Sequence, residues 1–534
     1  MKYNERSQDM TDFSQTDVTR HYSRTAKLNE EKTIGKPSPY KVSISGKHRF
    51  YLFIFSLLVG AINVGLPVLN SLANLTQSQH LYTGLMLTKG LLPYGDIFAT
   101  GGILYYALVA ASYVLGSSAW LTVVQVLAFY VSGAYFYRLV AYLTHKQDLA
   151  LVASLSFYLL NLSMGFGGLY PVQFALPFVL IGLWFLTKYF HQSTPDESFM
   201  LYGFLGAISI LLEPRTLTFW FLSAVFVFIV NLRRKEKAKG VYQLLCLIFG
   251  SILVFYSGAY FLINLQILSP YFSQAIIYHL SVLVRGTADL WQSLGAQLLL
   301  ALFGGLLLGL LGFLKKFEPE ATKSSPLVRG FLFLMLLVSL PYALGAQTFE
   351  PYALLDGLIY GLLLTVLWLN QRQEKVKQSH SHRRVKAGQV DGRLFAKLLK
   401  SHLYLPILVF VFGIAYPIWQ AFDQQKFVAD RIRIAQYLKK TVTEDEKIYV
   451  WDNQPKIYAD SQLTPSSQLI LPVGYASSSM NNKTLEDELL QNQANYIVVN
   501  KQMKLSDDLK KDLQTNYKAL SVAKVSNFTV YQLK

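Results

Sequence analysis

The sequence has little cysteine and little charge for its length. Cys246 is the only cysteine among 534 residues, so no disulfide can form within one chain and cysteine usage does not indicate a redox compartment. Charged residues make up 15% of the chain, whereas a typical soluble domain has about 25%. An ordinary soluble protein is therefore excluded.

Long apolar runs account for the low content of charged residues and predict a membrane domain. Hydrophobic residues make up 52% of the chain. Residues 50–69, 172–190, 241–265 and 294–314 are each long enough to cross a bilayer core of roughly 30 Å. The first of these runs follows a polar segment and precedes further runs, which favours a true span over a cleavable signal peptide.

The net charge of +17 lies mainly in short loops between the apolar runs. This pattern follows the positive-inside rule of membrane proteins and not the basic face of a nucleic-acid-binding domain, so we predict no nucleic-acid partner. Alternation of the basic loops predicts about eleven spans, with the N-terminus in the cytoplasm and the C-terminus outside. Two helical stretches, residues 80–89 and 103–115, are too short to span. They are predicted to lie on the outer surface, because counting them as one span would move every later basic loop outside.

Composition divides the chain into three parts. Residues 1–47 are polar and without periodicity, which predicts a disordered cytoplasmic tail. Residues 48–421 form the polytopic α-helical membrane domain, and residues 422–534 form a small extracytoplasmic α/β domain. Within the last part, helices are predicted over 425–440, 485–491 and 505–516, buried strands over 447–451 and 495–499, and a terminal hairpin over 517–525 and 527–533.

The segment after the first span carries the most informative motif, Lys89-Gly90-x-x-Pro93-Tyr94-x-Asp96-x-Phe98. It resembles the first external loop of bacterial GT-C glycosyltransferases of the protein-mannosyltransferase and aminoarabinose-transferase type. Residues 447–458 and 495–499 resemble the external domain of many Gram-positive members.

The resemblance implies an enzyme of the bacterial plasma membrane that uses a polyprenyl-phosphate-linked sugar as donor. The acceptor would be an extracytoplasmic wall polymer, glycolipid or protein. In this family an acidic residue of the first loop acts as general base on the acceptor hydroxyl and cations hold the donor phosphate, which suits the chemistry because a hydroxyl nucleophile needs a base and a phosphate leaving group needs positive charge. We expect Asp96 to be the base, with Tyr94 beside it, and Arg215 and Arg285 to bind the phosphate. The sequence identifies no definite cofactor and leaves a divalent metal as an alternative, while no His/Cys cluster indicates zinc.

The sequence departs from the family pattern at the position of its usual acidic pair. Such a residue, often Asp-Glu, precedes the loop glycine by about fourteen positions, and this chain has Thr76 and Gln77 there. The Asp that often follows the Phe of the motif is Ala99. Asp96 therefore either takes over the role of base or merely caps a turn. The missing pair also supports a second hypothesis, a non-catalytic partner subunit or scaffold in envelope assembly.

Two later turns supply further candidates. Glu213-Pro214-Arg215 lies at the outer end of a helical pair, where Arg215 either binds donor phosphate or pairs with Glu213 and snorkels to the interface. Tyr352 matches a family turn that often reads Arg-x-x-x-His-Tyr, and Glu350 and Asp356 beside it are reserve carboxylates. A transporter is the weakest hypothesis, because the charges gather at the outer face and not at the bilayer midplane.

Overall fold

The structure is a computed structural model of the full chain. It describes residues 42–70, 74–117, 119–166, 168–191, 194–281, 290–310, 326–344, 350–380, 404–443, 445–477, 479–491 and 494–534. Nearly all of the predicted N-terminal tail, the long basic loop at 381–403 and Arg285 lie outside the described residues. All described residues from Ile44 onward belong to one compact unit.

The described membrane part is helical, as predicted. Its α-helices are Gly46–Asn70, Leu75–Leu87, Ile103–Val114, Trp120–Thr144, Gln147–Met164, Pro171–Phe190, Ser198–Leu212, Leu217–Arg233, Lys237–Asn264, Leu268–Tyr271, Tyr278–Ser281, Leu290–Phe303, Pro326–Leu344 and Leu355–His380. Short 3-10 helices cover Pro214–Thr216 and Pro351–Leu354, and a π-helix covers Phe272–Ile277.

Six described helices are long and apolar enough to cross a membrane. They cover Trp120–Thr144, Pro171–Phe190, Pro214–Arg233, Lys237–Asn264, Pro326–Leu344 and Pro351–Gln373. A multi-pass membrane fold is thereby supported, whereas the count of eleven spans and the orientation of the termini stay predictions.

Two short helices follow the first long helix, where the sequence predicts surface helices. Leu75–Leu87 has 13 residues and begins with a capping box in which the Asn74 side chain accepts from the backbone of Gln77. Ile103–Val114 has 12 residues. At about 1.5 Å per residue, neither is long enough for a bilayer core of roughly 30 Å.

One helix of 38 residues, Tyr404–Thr441, joins the membrane part to the C-terminal part. Its length is about 57 Å at 1.5 Å per residue, so it extends well beyond a bilayer core. The sequence predicts a span and a separate helix here, and the structure makes them continuous. The predicted domain boundary at 421/422 falls within this helix.

The C-terminal part contains a small four-stranded sheet flanked by helices, as predicted. The strands are β1 (Ile448–Trp451), β2 (Tyr496–Asn500), β3 (Tyr517–Leu520) and β4 (Phe528–Leu533). Their order is β1-β2-β4-β3, with β1 parallel to β2 and the other two pairs antiparallel. The terminal hairpin is confirmed as β3 and β4, although β3 ends at Leu520. Helices cover Lys456–Ser461, Ser479–Leu490 and Asp507–Asn516, and a 3-10 helix covers Gly474–Ser477.

Both faces of this sheet are buried, which explains why its first two strands read as continuous apolar runs. Tyr449 and Trp451 face the helices Ser479–Leu490 and Asp507–Asn516. Ile448 and Val450 face the long helix, in a core that also includes Tyr82, Met86 and Ile97. The C-terminal sheet therefore shares one hydrophobic core with the segment that follows the first helix.

A buried ion pair fixes the long helix to the end of β1. Arg431 donates from Nε to Asp452 Oδ2 at 2.7 Å and from Nη2 to Asp452 Oδ1 at 3.0 Å, and both side chains are fully buried. Asn500, at the end of β2, donates to Asp452 at 2.8 Å, and Asn453 accepts from Arg431 at 2.8 Å. The charges are paired and hydrogen-bonded, as burial requires.

Candidate active site

The turn between the helices Ser198–Leu212 and Leu217–Arg233 places a charged pair at a helix end. Pro214 begins the 3-10 helix Pro214–Thr216, where its missing N–H costs nothing. Glu213 precedes it in an extended conformation, and its carboxylate accepts from the backbone N–H of Arg215 at 3.2 Å. The same carboxylate accepts from Arg215 Nε and Nη2, both at 3.0 Å, as a bidentate fork.

A second carboxylate completes an ion cluster of Glu213, Arg215 and Asp356. Asp356 lies in the first turn of the helix Leu355–His380 and accepts from Arg215 Nη1 at 2.8 Å. Three of the five guanidinium N–H donors are thereby used within the described part of the chain. One cation faces two carboxylates, so the cluster carries a net charge of −1 when both are ionised. The predicted candidates Glu213, Arg215 and Asp356 are therefore brought together.

The ion cluster borders a cavity of about 50 Å³, enough for a few water molecules. Arg215 and Asp356 line this cavity, whereas Glu213 is only 2% exposed and lies behind them. The remaining wall is largely apolar and includes Phe219 and Met335. Arg215 is 19% exposed and Asp356 is 17% exposed, so both can meet a ligand in this cavity.

Glu350 and Tyr352 lie beside the helix Leu75–Leu87, which contains Thr76. Tyr352 donates from its hydroxyl to Glu350 at 2.5 Å and lies 3.1 Å from the Thr76 hydroxyl. The Tyr352 ring stacks on Tyr170 with centroids 4.4 Å apart. Thr76 is the position at which the family resemblance expects an acidic residue. The Glu350 carboxylate is therefore connected to Thr76 through the hydroxyl of Tyr352.

The motif residues Tyr94 and Asp96 lie in a tight loop. Tyr94 has a φ of 68° and is fully buried, and its hydroxyl donates to the carbonyl of Gly101 at 2.6 Å. Asp96 is exposed, and its carboxylate accepts from the backbone N–H of Leu92 at 2.7 Å. Asp96 therefore caps the turn and does not line the cavity beside Arg215. Its assignment as base stays a prediction.

The sequence analysis did not predict Gln274, a residue that holds this loop in place. Gln274 donates to the carbonyl of Tyr94 and accepts from the N–H of Ala99, both at 2.9 Å. It lies in the π-helix Phe272–Ile277, a rare element that occurs frequently at functional sites. No local sequence signal marks Gln274, because its two partners are 175 or more positions away.

His80 is a second residue that the sequence reading did not assign to the site. It is buried, and its Nδ1 lies 3.0 Å from the Tyr106 hydroxyl. Burial lowers the pKa of His80 to about 4, a shift that Glu213 opposes and Arg215 and His279 reinforce. His80 is therefore a neutral hydrogen-bonding group at physiological pH.

The potential metal-ligating side chains of the described residues do not form a metal centre. Among the described residues, no three His, Cys, Asp or Glu side chains come together in a way that could hold a metal ion. The carboxylates of Glu213 and Asp356 are already bonded to Arg215.

Solved structures with the same fold include a bacterial membrane protein. "Crystal Structure of ArnT from Cupriavidus metallidurans bound to Undecaprenyl phosphate" matches with a TM-score of 0.53 and 13% identity, covering 91% of this chain and 98% of that one. The apo ArnT structure from the same organism matches with a TM-score of 0.45 and 13% identity, over 90% and 97% of the two chains. The predicted resemblance to GT-C glycosyltransferases is thereby confirmed for the fold.

Sequence comparison assigns the chain to a family. No curated protein matches its sequence. The family model described as "Putative competence-induced protein Ccs4 N-terminal domain" matches residues 38–425. The corresponding Ccs4 C-terminal domain model matches residues 428–534. Since these two matches together cover nearly the whole chain, the protein belongs to the Ccs4 family.

Proposed function

We propose that this protein transfers a sugar from a polyprenyl-phosphate donor to an extracytoplasmic acceptor such as a wall polymer, a glycolipid or a protein. The observation that carries the proposal is the cavity bordered by Arg215 and Asp356, within a fold shared with a protein whose crystal structure contains undecaprenyl phosphate. The proposal includes the predicted topology, with about eleven spans, residues 422–534 outside and the tail in the cytoplasm.

Arg215 is the proposed ligand of the donor phosphate. Its planar guanidinium suits bidentate phosphate binding, and two of its N–H donors are not used by Glu213 and Asp356. Glu213 holds the guanidinium in place through the bidentate fork. The phosphate then competes with Asp356, the more exposed of the two carboxylates. Arg285, outside the described residues, is a second proposed phosphate ligand.

Glu350 is the proposed general base that takes the proton of the acceptor hydroxyl. It is half-buried, and Tyr352 orients its carboxylate beside Thr76. Asp96 is less suited to this role, because it is exposed and its carboxylate caps the turn at Leu92. In the proposed step the acceptor oxygen bonds to the anomeric carbon, the bond to the phosphate oxygen breaks, and the proton passes to Glu350.

The experiment compares Glu350→Gln with Asp96→Asn in a strain that lacks the gene. We expect wild type and Asp96→Asn to restore the cell-envelope glycan composition, and Glu350→Gln to fail, with a loss of at least about 100-fold in transfer rate. Glu486→Gln, in the C-terminal helix Ser479–Leu490, is the matched control. Full restoration by Glu350→Gln would remove this residue from the mechanism, and failure of Asp96→Asn alone would return the role to Asp96.

The second candidate function is a non-catalytic partner subunit or scaffold in envelope glycan assembly. Thr76 and Gln77 favour it, because they replace the family acids, and Gln77 instead donates to the carbonyls of Phe166 and Gly168 at 2.8 Å. This alternative predicts that Glu350→Gln, Asp96→Asn and wild type all restore the glycan equally.

A further inference from the structure

A segment of the C-terminal domain, residues 462–477, lies directly on the first external loop. We call it the cap segment. Lys89 donates to the carbonyl of Gln462 at 3.1 Å, and the Tyr82 hydroxyl donates to the carbonyl of Leu463 at 3.2 Å. The two ends of this contact are more than 370 positions apart in sequence, so the domain packs back onto the start of the membrane part.

The cap segment also forms hydrogen bonds with the loop that carries the motif, residues 93–99, which we call the motif loop. Gln468 accepts through its backbone carbonyl from the N–H of Phe98 at 2.8 Å, and its side-chain amide donates to the carbonyl of Gly95. Gln274 holds the same loop from the opposite side, at Tyr94 and Ala99. The loop is therefore held by both the π-helix Phe272–Ile277 and the C-terminal domain.

Tyr475 is the aromatic residue that the cap segment contributes at this contact. Its hydroxyl lies 3.0 Å from the Thr100 hydroxyl. Its ring packs against Phe98 of the loop and Tyr278 of the helix Tyr278–Ser281, with centroid distances of 5.1 Å and 5.8 Å. Phe98 and Tyr278 are themselves 5.2 Å apart. Three rings from three separate segments thus meet at one point.

Thr100 connects this aromatic cluster to His279. Its carbonyl oxygen lies 3.2 Å from Nε2 of His279, and His279 acts electrostatically on Glu213. Burial raises the pKa of the Tyr475 hydroxyl, and Glu350 and Arg215 both act on it as well. The Tyr475 hydroxyl therefore lies within electrostatic range of Glu350 and Arg215.

We propose that Tyr475 is a positioning residue of the active site, through which the C-terminal domain holds Thr100 and the motif loop against His279. The domain is then part of the site, and the transfer reaction requires it to be seated on the first external loop. The functional half of this inference rests on the proposed transfer reaction, whereas the positioning of the loop does not.

The first test measures amide hydrogen exchange of the full-length protein in lipid nanodiscs, without any ligand. Tyr475→Phe keeps the ring and removes only the hydroxyl, so we expect exchange over residues 96–102 to rise about three- to tenfold, as the loss of one buried hydrogen bond predicts. Thr100→Val should give a similar rise, and the double variant no more than either single one. Tyr517→Phe is the matched control, because its hydroxyl donates to the carbonyl of Ala494 within the C-terminal domain. Unchanged exchange in Tyr475→Phe would overturn the inference.

The second test measures binding of undecaprenyl phosphate to the same proteins. We expect Tyr475→Phe to bind about three- to tenfold more weakly than wild type and Tyr517→Phe to bind like wild type. If wild type binds and Tyr475→Phe binds equally well, Tyr475 does not serve the site and the inference fails. If wild type itself does not bind, the proposed function fails, and the exchange rates alone decide whether Tyr475 positions the loop.

Discussion

Asp356→Asn is expected to tighten the binding of a polyprenyl phosphate. In the wild-type protein the Asp356 carboxylate lies 2.8 Å from Arg215 Nη1 and borders the cavity. An incoming phosphate must compete with this carboxylate for the guanidinium and is repelled by its charge. At a separation of about 5 Å and an effective dielectric constant of about 20, that repulsion amounts to roughly 3 kcal/mol.

Part of this energy is lost to relaxation, because Asn still accepts a hydrogen bond and water enters the cavity. We therefore expect a gain in affinity of at least about tenfold, or about 1.4 kcal/mol. The assay is a titration of undecaprenyl phosphate into protein held in nanodiscs. Asp507→Asn is the matched control, since Asp507 is exposed and pairs with Lys510 at 3.1 Å on the surface. Equal or weaker binding by Asp356→Asn would refute the reasoning that phosphate and Asp356 share one cation.

Two further predictions concern the framework of the site. Arg431→Met leaves Asp452 buried without its cationic partner, so the free energy of unfolding should fall by about 3–5 kcal/mol, measured by thermal or denaturant unfolding; a change below about 1 kcal/mol would contradict the assignment. His80 has a folded pKa of about 4, below its unfolded value of about 6.5, so the unfolded state binds more protons and wild-type stability falls as the pH drops from 6.5 to 4. His80→Asn should abolish a pH-dependent contribution on the order of 3 kcal/mol in this window, measured as the free energy of unfolding against pH; identical pH profiles for wild type and His80→Asn would contradict the burial effect.

Helices and strands were predictable because their signals are local. The apolar runs, the short helical stretches after the first helix and the alternation in the C-terminal part each depend on neighbouring residues. The strand boundaries at Ile448–Trp451 and Tyr496–Asn500 differ from the prediction by one residue. By contrast, the continuity of Tyr404–Thr441 escaped prediction, because the composition changes partway along that helix while its backbone does not.

The sequence predicted several residues of the candidate site, but not the long-range contacts between them. Glu213 and Arg215 are two residues apart, so their pairing was a stated alternative. Asp356 joins them from 141 positions away, and Thr76 meets Tyr352 from 276 positions away. Tyr475 and Gln274 carry no local motif at all, since their roles arise from partners that only the folded chain brings near.

Binding of undecaprenyl phosphate to the purified wild-type protein tests the central claim most directly. In nanodiscs the account predicts saturable binding that an excess of phosphatidylglycerol does not displace, because Arg215 recognises the phosphate within a cavity and not by surface charge. The contradicting result is no saturable binding, or equal displacement by phosphatidylglycerol, which would leave a shared fold without the proposed donor site.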